Sequence, residues 1–296
     1  MNPALRSTDH WWLYAGAMLL ALSAVLAWWR LARPAAVFRS EGNLAGNLAG
    51  SSTGKSAIGT LPLSLVDLAL LALAIGIALR WLRIGHGPFL SLFEILASSL
   101  LSLGLIWRVA SLRVPALRDS AAVVLSLLAL IGAWLLVTDA SDTHLPATYE
   151  MPVLWFHVLL GKVFLGCALV ATGLAGVLLA RASARGRHLF RRMPGDAVLD
   201  ALAWRFMLAA LVFESLMLIA GAVWAQDAWG RYWAWDPLET WAFVTWLALV
   251  AALHARITWR VAPRHGALLI AAVFVIAFLT FFGVPFVSLA PHKGAV

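Results

Sequence analysis

Residues 224–246 read WAQDAWGRYWAWDPLETWAFVTW and separate two long apolar runs of the sequence. The stretch contains six of the sixteen tryptophans of the chain: Trp224, Trp229, Trp233, Trp235, Trp241 and Trp246. Tryptophan combines a large flat apolar face with one N–H donor, so it prefers the boundary between membrane and water. An interfacial belt distributes such residues over several helix ends, whereas here they are concentrated in one connection. A planar apolar ligand such as haem would fit this composition.

The composition predicts an all-α integral membrane protein. Of the 296 residues, 62% are hydrophobic and 12% are charged, against about 25% charged in soluble domains. A membrane span requires about 20 predominantly apolar residues. Eight segments meet this requirement: 11–32, 61–82, 88–107, 120–138, 153–180, 203–223, 238–258 and 267–288. The first is long enough to span and lacks a clear small-residue cleavage site, so we expect no cleaved signal peptide.

The arginines predict the orientation of these spans. They are concentrated in the connections after the third, fifth and seventh spans, which parity places on one side of the membrane. By the positive-inside rule this side is the cytoplasm. The tryptophan-rich connection and both termini then lie outside the cytoplasm. Because the formal net charge of +8 reports this topology, we do not expect nucleic acid binding.

Five charged residues do not follow this scheme. Arg80 and Arg83 lie at the outer end of the second span, where they hold an anionic group or extend to the headgroups. Glu94, Lys162 and Glu214 fall within spans, where charges are rare and normally paired or facing a cavity. A pairing of Lys162 with Glu214 or Glu94 is one interpretation of these positions.

The residues from Asp236 to Glu239 predict the start of the seventh span. Aspartate is a good N-cap, Pro237 suits the first helical position, and Glu239 at the third position completes a pattern like a capping box. This structural role accounts for Asp236 and Glu239 and is compatible with a role in shaping a site. It does not account for the tryptophans.

The single cysteine, Cys167, lies inside an apolar segment. The sequence therefore predicts neither an internal disulfide nor a CxxC redox pair, and it contains no CxxCH motif for covalent haem attachment. Whatever the chain does with haem, it is not itself a c-type cytochrome.

Four segments together resemble a known family of membrane proteins. Residues 221–256, GAVWAQDAWGRYWAWDPLETWAFVTWLALVAALHAR, are similar to the WWD signature of the haem-handling superfamily. The form WDPxExW followed by LHAR is most similar to CcsA (ResC), the haem-handling half of the System II cytochrome c synthase. GHGPFLSLFE at 85–94 resembles its GHxPxxNLYE segment, with Ser91 in place of Asn. LWFHVLLGKVFLG at 154–166 resembles its first external histidine segment, and SLAPHKG at 288–294 takes the place of LGLHSYG.

The resemblance implies roles for three histidines. His157 and His292 correspond to the external ligands of haem b, one on each face, and His254 to the ligand of haem entering from the cytoplasm. His254 lies 17 residues after Pro237, or about 25 Å along one helix, so it cannot ligate the same haem as His157. The residues alone leave other readings open: a packed core histidine for His157, a solvated tail for His292, and an interfacial anchor for His254.

Other residues complete the candidate site. His86 lies at the outer end of the second span and is a candidate site-lining residue. Arg231 could neutralise a haem propionate or contact lipid headgroups. The expected platform comprises Trp224, Trp229, Trp233, Trp235, Asp236 and Trp241.

The resemblance also implies a function in cytochrome c maturation. The chain would bind haem, move it across the membrane and present it to the CxxCH motif of an apocytochrome c, as a subunit of a holocytochrome c synthase. No residue is expected to be catalytic. The expected partners are a CcsB (ResB)-like membrane protein, apocytochrome c, haem, thiol-reducing proteins of the pathway and membrane lipid. Since the chain lacks the large extracytoplasmic domain of CcsB, we expect it to act in a complex.

Two alternatives remain open from the sequence. One is a permease that only delivers haem, like the CcmC-type WWD proteins, and the other is an assembly protein without synthase activity, like the HemX-like relatives. A neighbouring CcsB-like gene would favour the synthase. In each case we expect residues 1–60 to form the first span and a flexible cytoplasmic linker, and residues 61–296 to form the CcsA-like haem-handling domain.

Overall fold

The computed structural model describes residues 4–33, 61–87, 90–146 and 149–284. All regular structure in these ranges is helical. The helices are α1 (Ala4–Ala32), α2 (Leu61–Ile84), α3 (Leu92–Arg113), α4 (Ala121–Val137), α5 (Pro152–Ala180), α6 (Ala184–Leu189), α7 (Asp196–Trp229), α8 (Pro237–Thr258) and α9 (Pro263–Phe278). A 3-10 helix, Pro115–Ser120, precedes α4, and a π-helix, Leu279–Gly283, follows α9.

Eight helices are long and apolar enough to cross a membrane, which confirms the predicted number of spans. They are all the long helices, and the short α6 lies in the connection between α5 and α7. The largest difference from the predicted bounds is in α7, which has 34 residues and is therefore about 51 Å long. The hydrocarbon core of a bilayer is about 30 Å thick, so α7 extends beyond the bilayer and contains Trp224 and Trp229.

The core is formed by one continuous apolar cluster that runs through the described helices from Leu13 to Phe282. The most extensive helix contacts join α5 to α7 and α1 to α2. Helix α5 is the most buried of the spans and also packs against α3 and α9. The first helix is part of this core, since α1 lies against both α2 and α4.

Side-chain contacts divide the molecule into two ends. At one end Arg83 of α2 binds Asp9 of α1, and Trp224 of α7 contacts Tyr149, just before α5. This end contains the amino termini of α3, α5 and α8 and the carboxyl termini of α2 and α7. We call it the His157 end, because His157 lies in the second turn of α5. At the opposite end Arg256 of α8 binds Asp200 of α7, and we call it the His254 end.

The arginines that contradict the positive-inside pattern are paired with carboxylates of the protein itself. Both arginine side chains are buried: Arg80 contacts Glu94 at 2.9 Å, and Arg83 contacts Asp9 at 2.9 Å and Asp142 at 2.7 Å. The anionic group expected near Arg80 and Arg83 is thus intramolecular, and neither side chain extends to the headgroups.

The interpretation that Lys162 pairs with Glu214 or Glu94, drawn from the sequence, is wrong. The Lys162 ammonium donates to the hydroxyls of Ser99 at 2.6 Å and Ser98 at 3.1 Å. Glu94 pairs with Arg80, whereas the buried oxygens of Glu214 have no hydrogen-bond partner among the described residues. Spacing along the sequence could not show these contacts, because each depends on how two helices pack against each other.

Candidate functional site

His157 lies in the second turn of α5 and is fixed by a backbone group of α7. Its Nδ1 lies 2.8 Å from the carbonyl oxygen of Met217, which can only accept a hydrogen bond. The Nδ1–H therefore donates, and Nε2 is the nitrogen that carries the lone pair. This arrangement is common for histidines that ligate metals, since the second hydrogen bond sets the tautomer and the ring orientation.

A glycine of α7 makes room for the imidazole. A Cβ atom at Gly221 would lie 2.8 Å from both Cε1 and Nδ1 of His157. Real Cβ atoms do not approach other heavy atoms so closely, so any larger residue at 221 would displace the ring. Gly221 is one turn after Met217 on the same helix face, so the two residues together form a notch that fits the His157 ring.

Four aromatic rings form what we call the His157 cluster: Tyr149, His157, Trp224 and Trp229. The His157 ring is stacked on Trp224 with centroids 6.4 Å apart and an interplanar angle of 21°. Trp224 is 2% exposed and meets Trp229 edge-on at 4.8 Å and Tyr149 edge-on at 5.4 Å. Edge-to-face contacts of this kind fix ring orientation, so the cluster is a rigid apolar wall beside His157.

A second group, which we call the connection cluster, follows along the chain: Trp233, Trp235, Phe243 and Trp246. Trp233 is at 5.7 Å from Trp235 and at 6.2 Å from Phe243, and Phe243 is stacked on Trp246 at 5.9 Å. The indole N–H of Trp233 is buried and has no hydrogen-bond acceptor within the part of the chain that the structure describes. A buried donor without an acceptor is costly, which suits a site that receives an acceptor from a ligand.

The connection between α7 and α8 is only seven residues long, 230–236. It begins at Gly230, whose φ of +72° ends α7 in the left-handed conformation that glycine adopts easily. Trp235 has a φ of +59°, which is uncommon for a bulky residue and strains the backbone by about 1–2 kcal/mol. The strained turn directs the chain into α8, and Trp235 remains 69% exposed.

Asp236 is the N-cap of α8, as predicted. Its Oδ1 accepts from the backbone N–H of Glu239 at 3.0 Å. The Glu239 carboxylate accepts from the backbone N–H of Ala234 at 2.7 Å, two residues before the N-cap that a capping box would engage. The two carboxylates therefore brace the end of the connection as well as the start of the helix.

Trp241 and Arg231 are both exposed. The carbonyl oxygen of Trp241 accepts from the hydroxyl of Thr245 at 2.8 Å and from that of Thr280 at 3.3 Å. Thr280 lies in the π-helix, so α8 and the end of α9 are joined at the depth of the tryptophans. In addition, Ala242 of α8 packs against Leu160, Met217 and Ala220. This contact connects α8 to α5, which carries His157, and to α7.

The other histidines of the predicted site are not part of the His157 cluster. His254 is exposed near the end of α8, where its Nε2 is 3.4 Å from the Thr258 hydroxyl. It is at the His254 end, so the structure does not bring it together with His157. His86 is buried, with Nδ1 3.0 Å from the carbonyl oxygen of Gly87 and Nε2 2.9 Å from that of Thr143. His292 lies outside the described residues.

The donor set fits an axial haem ligand better than a bare metal ion. No group of three or more His, Cys, Asp and Glu side chains among the described residues could hold a metal ion. Haem needs only one or two axial ligands, because the porphyrin supplies the other four. A single oriented imidazole beside rigid indole faces meets that requirement.

Sequence reasoning did not identify Met217, Gly221 and Tyr149. The histidine segment and the tryptophans were visible as motifs, but the Met217 contact is made by a carbonyl group, which has no sequence signal. A glycine four residues after a methionine in an apolar helix is a weak indication of a close contact, and only the partner ring on α5 gives it a meaning.

Comparison with known proteins identifies the family of the chain. The family model described as "Cytochrome C assembly protein" matches residues 11–292. The cytochrome c biogenesis protein CcsA of Gloeobacter violaceus (strain ATCC 29082 / PCC 7421) is 40% identical over 132 residues, which is 43% of this chain and 39% of that protein. The CcsA of Prochlorococcus marinus (strain MIT 9312) is 45% identical over 95 residues, covering 32% of this chain and 31% of the relative. The matched regions thus span about a third of the length of these relatives.

A solved structure shares the fold. The structure of "Cytochrome c Heme Lyase CcmF" superposes with a TM-score of 0.64 at 20% sequence identity, covering 95% of this chain and 47% of that chain. The resemblance to CcsA-type proteins that the motifs indicated is confirmed by the family match and the relatives. On these grounds the chain belongs to the cytochrome c assembly protein family.

Proposed function

We propose that this protein binds haem and presents it for attachment to apocytochrome c at the His157 end. The observation that carries the proposal is the combination of His157 with Met217 and Gly221. The carbonyl of Met217 sets the tautomer that leaves Nε2 as the metal-binding nitrogen, and the Gly221 notch sets the position of the ring. A core histidine that only fills space needs neither a shaped notch nor a wall of indoles.

The tryptophans supply a dry and flat surface beside this ligand. The rings of Trp224 and Trp229 are fixed by edge contacts, so they can orient a planar substrate without being ordered again on binding. The buried N–H of Trp233 and the exposed guanidinium of Arg231 suit the carboxylates of haem propionates. His292 is the proposed second axial ligand, as the family resemblance implies.

The proposed orientation places the His157 end outside the cytoplasm of a bacterial inner membrane. In support, Arg108, Arg181 and Arg256 lie at the His254 end, where the positive-inside rule requires the cytoplasm. Haem would enter through exposed His254 and be transferred to His157. The two histidines cannot bind the same haem at once, because they lie near opposite faces of the bilayer. The transfer would therefore take place between two separate sites.

The chemistry that follows belongs mainly to the substrates. The haem vinyl groups would form thioether bonds with the two thiols of the CxxCH motif. The histidine of the same motif would then replace one axial ligand of the haem iron. The chain itself contributes orientation and exclusion of water, so no nucleophile of its own is needed. We propose a CcsB-like membrane protein and apocytochrome c as partners, thiol-reducing proteins as suppliers of the reduced motif, and haem b as the substrate.

The absorption spectrum of the detergent-purified protein, coexpressed with its CcsB-like partner, tests this function. We expect the reduced wild type to show a six-coordinate bis-histidine spectrum. His157→Ala should lose or alter it, because one axial bond is removed. His144→Ala is a matched control, since His144 is an exposed histidine at the same end.

The control variant should retain the wild-type bands. A wild-type protein without haem under haem-replete expression would overturn the proposal, as would a spectrum that His157→Ala leaves unchanged. Covalent attachment in cells is the second measurement. If haem binding is retained while coexpressed apocytochrome c acquires no haem, the chain is a delivery protein of the CcmC type rather than a synthase subunit.

A further inference from the structure

A charged cluster at the His157 end is made by residues distant in sequence. It consists of Asp9, Arg80, Arg83, Glu94 and Asp142. Four of these side chains are buried, and only Asp142 is partly exposed, with 34% of its side chain accessible. Burying charges requires close pairing and further hydrogen bonds. The cluster provides the pairing by joining α1, α2, α3 and the segment that follows α4, although Asp9 Oδ1 and Arg83 Nε have no hydrogen-bond partner among the described residues.

The cluster binds the main chain of that segment. Arg80 donates to the carbonyl oxygens of Ala140 at 3.3 Å and Ser141 at 2.7 Å. Arg83 binds the Asp142 carboxylate, and the Thr143 hydroxyl donates to Glu94 at 2.9 Å. Residues 139–143 have no helical or strand hydrogen bonds, so Arg80 is what satisfies the backbone carbonyls of Ala140 and Ser141.

Glu94 couples the cluster to the start of α3. One carboxylate oxygen pairs with Arg80, and the other accepts from the backbone N–H groups of Leu90 at 3.0 Å and Ser91 at 3.3 Å. The same side chain thus completes a capping box with Ser91 and neutralises a buried arginine. Any shift of the cluster would therefore shift a helix end as well.

Two aromatic contacts connect the cluster to His157. Trp81 follows Arg80 directly on α2, and its ring is stacked on Trp155 at 5.2 Å with an interplanar angle of 20°. Trp155 is two residues before His157 on α5. On the other side, Tyr149 lies six residues after Thr143 in the same connection between α4 and α5, and its ring meets Trp224, on which His157 is stacked.

We propose that the charged cluster is a positioning device for His157. The cluster fixes the last turn of α2 and residues 139–143. It thereby sets the positions of Trp81 and Tyr149, which contact Trp155 of α5 and Trp224 of α7. Its members are positioning residues, because none of them touches His157. The expected consequence for haem ligation rests on the proposed function, but the effect on the position of His157 can be measured without haem.

Chemical labelling of His157 in the haem-free full chain tests the positioning. The Arg83–Asp142 pair is broken by Asp142→Asn, which leaves the Arg83–Asp9 pair in place, or by Arg83→Gln, which removes the cation from both carboxylates. The Arg108–Asp67 pair at the His254 end is more exposed than the Arg83–Asp142 pair, so Asp67→Asn and Arg108→Gln control for the loss of a partly exposed ion pair far from His157. We expect the rate of His157 modification by diethylpyrocarbonate, measured by peptide mass spectrometry, to rise roughly fivefold in the first two variants only.

The haem-loaded complex supplies the second readout. In Asp142→Asn the bis-histidine spectrum should acquire a high-spin component, and haem should be lost roughly fivefold faster to a scavenging globin; Asp142→Glu should restore both. Equal labelling rates in the Asp142→Asn and Asp67→Asn variants, at equal melting temperatures, would overturn the positioning role. Faster labelling without any His157-dependent haem spectrum would instead retain the positioning role and reject the proposed function.

Discussion

The two ends of the molecule carry histidines in opposite environments. His157 is packed into a notch of α7, bonded to a carbonyl and stacked on a buried tryptophan. His254 is exposed on the last turns of α8, with a hydroxyl at 3.4 Å. A preorganised ligand binds tightly and in one geometry, whereas an exposed one binds weakly and releases easily. This difference fits the proposed transfer of haem from the His254 end to the His157 end.

The charged residues follow the same division. At the His157 end every member of the charged cluster except Asp142 is buried, and Arg80 binds the backbone of a connection. At the His254 end Arg108 and Arg181 pair with Asp67 and Asp196, which are both more than half exposed, whereas Asp200, the partner of Arg256, is buried. Buried pairs are strongly destabilising when one partner is removed, whereas exposed pairs are worth little.

The largest expected effect is on stability and comes from Arg80→Gln. The substitution leaves Glu94 buried without its cation, which should lower the free energy of unfolding by about 3–5 kcal/mol. Arg108→Gln removes the corresponding cation of the exposed pair and should cost about 1 kcal/mol or less. Thermal unfolding of the two variants in detergent measures the difference. Equal melting temperatures would contradict the contrast between the two ends.

The next effect is on the ligand itself and comes from Gly221→Ala. The added methyl group would lie 2.8 Å from two ring atoms of His157, and relieving such an overlap costs about 1–3 kcal/mol. Because about 1.4 kcal/mol corresponds to a factor of ten in affinity, we expect haem affinity to fall roughly tenfold or more, with altered bands. Gly195→Ala, at the N-cap of the same helix, is the control, since a Cβ atom there meets nothing within 4 Å. Wild-type bands in Gly221→Ala would show that the notch is not used.

His254→Ala should have a smaller effect of a different kind. An exposed ligand contributes less binding energy than a buried one, so we expect the amount of haem that copurifies to fall by at most roughly tenfold. The bands of the remaining haem should stay in place, because His157 is untouched. His265→Ala provides the control at the same end. Shifted bands in His254→Ala would mean that the two ends do not bind haem independently.

The sequence predicted the spans well, because apolar runs and helix caps are local signals. The N-cap at Asp236 and the number of spans are confirmed. The end of α7 was less predictable, since Gln226 and Asp227 reduce the apolar character of the run. Nothing in residues 224–229 breaks a helix, however, so the helical hydrogen bonds continue until Gly230. Hydropathy thus predicted the membrane-spanning part of α7 but not the helical turns that extend beyond it.

The site was predictable only in part. His157 and the tryptophans belong to recognisable motifs, whereas their fixation depends on contacts between residues far apart in the chain. The Met217 carbonyl is 60 residues from His157, and Asp9 is 74 residues from Arg83. Such pairs follow from how helices pack in three dimensions, and no periodicity along one helix encodes them.

The smallest expected effect separates two roles of Asp236 at the His157 end. Asp236→Ala removes the N-cap of α8 and should cost about 1 kcal/mol of stability. Asparagine caps helices as well as aspartate does, so Asp236→Asn should keep both the melting temperature and the haem bands. Because the Asp236 carboxylate accepts the Glu239 N–H, its cap accounts for its position without a direct role toward haem. A normal melting temperature with altered bands in Asp236→Asn would show that the negative charge itself acts on the bound haem.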